Sequence, residues 1–339
     1  MRSGHMFVVG LFSLGLLAPV AGTLRAAAVM YVPAGEIAVG GVGRFDYLHV
    51  DSAAKRLYLS HGQEVVVIDT ANQSVVGKIS DTPGVHGIFV VPNGHGFITN
   101  GAEAKVSVFD TKTLQTLMKV ETGVNPDAIT YDPGNKEIYS LNHTGKSVTV
   151  IDAATSKVTA TIPLSGVAEA GAADPGLNRV YVNIEDLGQV DVIDTKTHTV
   201  VAHWPVAPAA EPTGMAIDTV RHRVFVGGGP FQVMLDGTTG AVVGKVPICT
   251  GTDATFFDAT ASLSMSSCGE GKITIVKVGP GDQMAVVQTL ETARGARTMA
   301  LDPVTHRIYV AAAKYEPAVA GARPQAIPDS LRVLVYAPK

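Results

Sequence analysis

Seven positions spaced 40 to 44 residues apart carry most of the chemistry this chain offers: Asp46, His86, Asp127, Glu169, Thr213, Asp253 and Arg297. Each stands five residues before a recurring turn position, so each occupies the same place in a repeated unit. Six of the seven are ionisable. Such side chains gathered at one opening are costly unless they are solvated, paired with one another, or used to hold a ligand. Asp46, Asp127, Glu169 and Asp253 supply hard oxygen ligands for a divalent cation such as Ca2+, and His86 suits a transition metal. Arg297 offers a planar fork for a carboxylate or phosphate, so the same set can bind an organic ligand without any reaction. The remaining reading is an ion-pair network that satisfies itself.

These residues need elements that bring them together. The turn positions are Asp51, Val91, Asp132, Asp174, Asp218, Asp258 and Asp302, with spacings of 40, 41, 42, 44, 40 and 44, which makes seven units. Each unit holds short β-branched runs, as in Arg56 to Leu59, Val65 to Thr70 and Ser74 to Ile79, separated by Gly, Asn, Asp and Thr turns. With the strand that precedes the turn, this gives four antiparallel strands per unit. Four strands in about 40 residues is the arithmetic of a propeller blade, so the expected fold is all-β, a seven-bladed β-propeller. The last unit stops after its third strand, Leu331 to Tyr336, while Gly35 to Val39 resembles the fourth strands of other units. The N-terminal strand is therefore expected to complete the last blade. Strand order puts the seven positions at the start of each innermost strand, polar at the channel mouth above apolar neighbours such as Leu48, Ile129 and Met299.

The second strands read Tyr58-Leu59-Ser60-His61, Phe97-Ile98-Thr99-Asn100, Tyr139-Ser140-Leu141-Asn142 and Tyr309-Val310-Ala311-Ala312. This resembles the Tyr-Val-Thr-Asn repeat of YVTN-type, YncE-like propellers, over residues 35 to 339. Relatives of this type include ligand binders, DNA binders and haem-carrying domains, so the resemblance implies a fold and a channel-mouth site rather than one reaction. The polar ring also resembles that of lactonase propellers of the gluconolactonase-like group, where carboxylates hold a cation that polarises an ester carbonyl. The leading expectation is a binding or interaction module taking a small-molecule or protein ligand at the mouth. A metal-dependent, lactonase-like hydrolase using the same ring is the alternative, and single-stranded DNA binding stands last.

Further residues fall on the mouth face. Asn100, Asn142, His61 and His143 end or follow second strands, Glu185 and Asp186 occupy the matching loop of unit four, and Glu211 precedes Thr213. The last unit carries an Ala- and Pro-rich insertion, Ala311 to Ser330, containing Lys314, Tyr315, Glu316 and Arg323. By contrast His95, His198, His222 and His306 fall in turns of the opposite face and read as solvated turn residues. His-Glu-x-x-His, Gly-x-Ser-x-Gly and a complete phosphate loop are absent from the sequence.

Composition sets the compartment and the partners. Residues 1–28 begin with Arg2, run apolar from Met6 to Ala18 and end in Ala26-Ala27-Ala28, the pattern of a cleaved signal peptide. The apolar run is too short to span a bilayer, so the mature chain, 29–339, is expected to be one propeller domain without a membrane span, periplasmic or secreted. Cleavage leaves 24 Lys+Arg against 30 Asp+Glu, a net charge of −6 that argues against nucleic acid. In an oxidising compartment Cys249 and Cys268, the only two cysteines, are expected to form one disulfide near Asp253. Two thiols alone do not complete a zinc site, and no Cys-x-x-Cys-His is present for covalent haem.

Overall fold

A computed structural model describes residues 1, 4, 29–317 and 325–339. The expected signal peptide, 1–28, lies outside the described residues apart from Met1 and Gly4, as does Arg323 of the insertion. Seven four-stranded antiparallel sheets form the molecule. Their innermost strands are Phe45–Asp51, Val85–Val90, Pro126–Asp132, Ala168–Asp174, Pro212–Asp218, Thr252–Asp258 and Met299–Leu301. Each packs beside the next and the last packs beside the first, which closes a seven-bladed propeller around a central channel.

Aromatic repeats explain why the sheets stack face to face. Tyr58, Phe97, Tyr139, Tyr181, Phe225 and Tyr309 begin the motif of their second strands, and all are essentially without exposure. Full burial of a large apolar side chain contributes about 2–3 kcal/mol, so a ring of such residues supplies much of the cohesion between blades. Where Met265 takes this slot in blade six, Ile273, Ile275 and Leu290 pack around it.

Closure follows the expected plan with a longer strand. Tyr31–Ala38 pairs antiparallel with Arg332–Pro338 as the outermost strand of the last blade, from Tyr31 opposite Pro338 to Ala38 opposite Arg332. The strand begins four residues before Gly35 because Tyr31 finds a buried slot and exchanges two 2.8 Å hydrogen bonds with the Gln288 side chain. A register shift between Pro33 and Gly35 takes up the proline, which has no N–H to give to the ladder.

The turn positions opposite the mouth latch neighbouring blades. One carboxylate oxygen of Asp174 accepts from Gly176 N of its own turn at 3.1 Å, and the other lies 2.7 Å from His222 Nδ1 in the next blade. Asp258 does the same with Ala261 N at 3.0 Å and His306 Nδ1 at 2.6 Å, and Ser52 Oγ donates to Asp302 at 2.6 Å across the closing seam. His198 likewise lies 2.9 Å from Glu137. His198, His222 and His306 are therefore not merely solvated turn residues. A buried carboxylate needs a partner, and these imidazoles supply it. Among the described residues no helix is long and apolar enough to cross a membrane.

Candidate functional site

The start of each innermost strand is irregular in the same way. Pairing with the second strand skips two residues between Phe45 and Leu48, Val85 and Ile88, Pro126 and Ile129, and Ala168 and Gly171, and one between Pro212 and Gly214 and between Thr252 and Ala254, in each case one more than on the partner strand. Six of the seven predicted ring residues thus sit in β-bulges, which leave a residue unpaired and re-aim its side chain. The third residue of the repeat motif ties down several of these strand starts. Ser60 Oγ accepts from Asp46 N at 2.9 Å, Thr99 Oγ1 accepts from Gly87 N at 2.7 Å and donates to the Asp127 carbonyl, and Ser267 Oγ donates to the Arg297 carbonyl. Asn183 Nδ2 donates to Gly214 O at 3.1 Å, and Thr213 Oγ1 donates to Thr252 O at 2.6 Å.

The result is one cavity of about 360 Å3 lined by Asp46, Asp127, Glu169, Thr213, Asp253 and Arg297, with Glu185 and Glu211 on its rim. His86 bridges two of the acids: its Nδ1 lies 2.7 Å from Asp46 Oδ2 and 3.5 Å from Asp127 Oδ1. His143 Nδ1 lies 3.1 Å from Glu169 Oε1 and 2.9 Å from the Ala168 carbonyl, and Arg297 Nε lies 3.2 Å from Asp253 Oδ2. Among the described residues six carboxylates therefore face three cationic groups. Below the mouth a second cavity of about 280 Å3 runs down the channel between apolar residues such as Leu48, Ile88, Met215 and Leu301. Tyr47 lines both cavities and forms the floor of the upper one.

Burial and mutual repulsion act on these groups together. Burial pushes the Asp127 carboxyl up to about 7; Asp46 and Glu169 add to the rise and His86 opposes it. Burial likewise raises Asp253 to about 7 against the pull of Arg297, and raises Glu185 with help from Glu169. For His143 the hydrogen bond to Glu169 leads, lifting the imidazole to about 9. Burial works against charge on His86, but the Asp46 hydrogen bond and the charges of Asp127 and Asp46 prevail and hold it above the usual imidazole value. The Tyr47 phenol is pushed well above its ordinary range by burial and then by the surrounding carboxylates.

All seven positions picked from the sequence converge on this mouth, with roles that differ by side. Asp46, His86 and Asp127 have ligand atoms within 4.8 Å of one another, as do Asp127, His143 and Glu169, so these acidic and histidine groups could hold a metal ion. Asp253 stands apart from both groups, paired with Arg297. His143 joins the ring although its sequence position only placed it in a loop on this face. Tyr47 had no sequence signal, because strict alternation aims it away from the channel and only the bulge turns it inward. His61 is buried against the Gly41 to Gly43 loop, and Asn100 and Asn142 bind serine and threonine hydroxyls within their own blades. Tyr315 of the insertion bridges to Ala326, and the charges of Arg297 and Arg44 reach its phenol. Cys249 and Cys268 form a disulfide that ties the segment entering the Asp253 strand to the end of the neighbouring strand.

Fold and mouth together define a seven-bladed β-propeller with an acidic, histidine-bearing ring at one end of its channel. No family model matches the chain. It is 28% identical over 97 residues to the uncharacterized protein YncE of Salmonella typhimurium, covering 28% of each chain, and 32% identical over 115 residues to that of Salmonella typhi, covering 32% of each. The matched stretch thus spans about a third of these curated relatives. Among solved structures it is similar to a chain of the mitotic checkpoint complex, with a TM-score of 0.74 at 13% identity over 97% of this chain and 98% of that one. It is also similar to hydrazine synthase of Kuenenia stuttgartiensis, with a TM-score of 0.69 at 15% identity over 86% of this chain and 96% of that one. At such identities the structural likeness speaks for the fold alone. Over these partial stretches the chain is similar to YncE, and its seven-bladed architecture agrees with that likeness.

Proposed function

We propose that the protein is a ligand-binding module whose site is the channel mouth and whose ligand brings positive charge. One observation carries this reading: among the described residues the six carboxylates of the mouth have His86, His143 and Arg297 as cationic partners, at the cost of burying acids with raised pKa values. A self-sufficient ion-pair network would balance its charges, whereas a binding site leaves an imbalance for the ligand to complete. The negative mouth argues against single-stranded DNA. The test is equilibrium dialysis of the chelator-treated full chain against a defined set of small amines and amino acids. The reading expects a bound amine that is lost in Asp46→Asn/Asp127→Asn; binding indifferent to those changes contradicts it.

The alternative, a metal-dependent hydrolase of the lactonase kind, draws on Asp127 at about 7 between two imidazoles, a group suited to proton transfer near neutrality. Unchanged lactone and ester hydrolysis in Asp127→Ala/Glu169→Ala removes it. The reading takes 29–339 as the working unit and 1–28 as an export segment. The Ala26-Ala27-Ala28 pattern and the disulfide support a periplasmic or secreted location.

A further inference from the structure

We propose that the mouth binds a divalent transition-metal ion through Asp46, His86 and Asp127. This deepens the ligand-site reading and rests on it. The ligand atoms of the three residues lie within 4.8 Å of one another, and His86 Nδ1 stands 2.7 Å from Asp46 Oδ2 and 3.5 Å from Asp127 Oδ1. Ligand atoms bound at about 2.1 Å in a tetrahedral or octahedral shell are roughly 3–3.4 Å apart, a spacing that the two His86 distances bracket. The Asp127 carboxylate is only 15% exposed, and no hydrogen bond from a described residue reaches it. His86, 3.5 Å away, offsets part of the cost of that burial, and a cation held between the two would offset more.

Gly101 shows how the imidazole is accommodated. Its backbone lies outside the left-handed region, so chain geometry does not call for glycine there. A Cβ at this position would lie 2.9 Å from Asn125 Nδ2, 2.9 Å from His86 Cδ2 and 3.0 Å from His86 Nε2. The missing side chain makes room for the imidazole with its Nδ1 turned to the two carboxylates.

Ligand chemistry selects the ion. Imidazole nitrogen with carboxylate oxygen suits Zn2+, Co2+ or Mn2+, whereas Ca2+ takes six to eight oxygens. The second group, Asp127, His143 and Glu169, shares Asp127, but its His143 Nδ1 is divided between Glu169 and the Ala168 carbonyl, whereas His86 Nδ1 faces carboxylates alone. The ion is therefore assigned to the first group. Its open positions face the mouth cavity, where Arg297 can take the other end of an anionic group held by the metal.

The full chain, stripped with chelator and dialysed, is offered Zn2+, Co2+ and Ca2+ separately, and the ion retained through desalting is counted by elemental analysis. The expected result is one Zn2+ or Co2+ per chain and no retained Ca2+. His86→Ala and Asp127→Asn should each weaken binding by more than the roughly 10- to 100-fold that loss of a supporting partner costs, and Gly101→Ala should weaken it without altering a ligand. The visible absorption of the Co2+ form should change in His86→Ala. Chelated melting curves establish that each variant folds. Retention of no ion, preference for Ca2+, or Zn2+ held equally by His86→Ala and Asp127→Asn overturns the proposal. If Zn2+ fails but an amine still binds in chelator and is lost in Asp46→Asn/Asp127→Asn, the metal assignment alone falls; if both fail, the ligand reading falls with it.

Discussion

Asp253 shows how a single residue reports on the mouth. Its folded pKa of about 7 stands above the ordinary carboxylate value of 3.8, so folding takes up a proton between those values. The stability this contributes is complete below about pH 4 and is lost as pH rises through about 7. Denaturant unfolding at pH 5 and pH 8 should therefore show Asp253→Asn gaining on the wild type as pH rises, while parallel pH profiles would contradict this assignment. The residue was legible in the sequence because a fixed count from a repeated turn lands on equivalent positions of every blade. Tyr47 was not, since a bulge reverses its alternation, and no residue type announces a bulge. His143 could be placed on the correct face but not at its 3.1 Å distance from Glu169, which depends on how one blade leans on the next.

At the scale of strands, the same residues that write the repeat also hold the site. Thr99 carries the Thr slot of the motif, and its hydroxyl joins Gly87 N to the carbonyl of Asp127 in the next blade. Thr99→Val keeps the volume but leaves a buried N–H without its partner, and should cost about 1–3 kcal/mol while loosening ligand or metal binding at the mouth. Equal stability and binding in the variant, measured by denaturant melts and dialysis, would show that this bond does not position Asp127. On the opposite face His306→Ala strips a 2% exposed carboxylate, Asp258, of its partner in the next blade. The imidazole is 29% exposed, so solvent moderates the loss to about 1–2 kcal/mol. An unchanged unfolding midpoint would remove the latch. The sequence placed these histidines in the right turns but could not pair them, because the partner lies 48 residues away in another blade.

For the whole molecule, closure and the mouth are the two claims that matter. The period, the strand count and the missing last strand make the propeller readable in the sequence, because each comes from local turn and strand chemistry repeated seven times. Deleting 29–38 leaves Arg332–Pro338 as an open edge and removes the buried Tyr31 and Ile37. The melting temperature should fall by roughly 10 °C or more, and a truncated chain melting with the intact one would show that the ring does not depend on this strand. The central claim is that the mouth is built to receive a ligand and not to stabilise the ring. The most direct measurement is the unfolding free energy of the chelated wild type and of Asp127→Asn/Glu185→Gln at pH 8. Relieving the buried Asp127 and the half-exposed Glu185 of repulsion from Glu169 should make the variant more stable by about 1–3 kcal/mol, most of it from Asp127 because solvent screens Glu185. A variant less stable by a similar amount would mean that the carboxylates hold the propeller together, and would contradict the account.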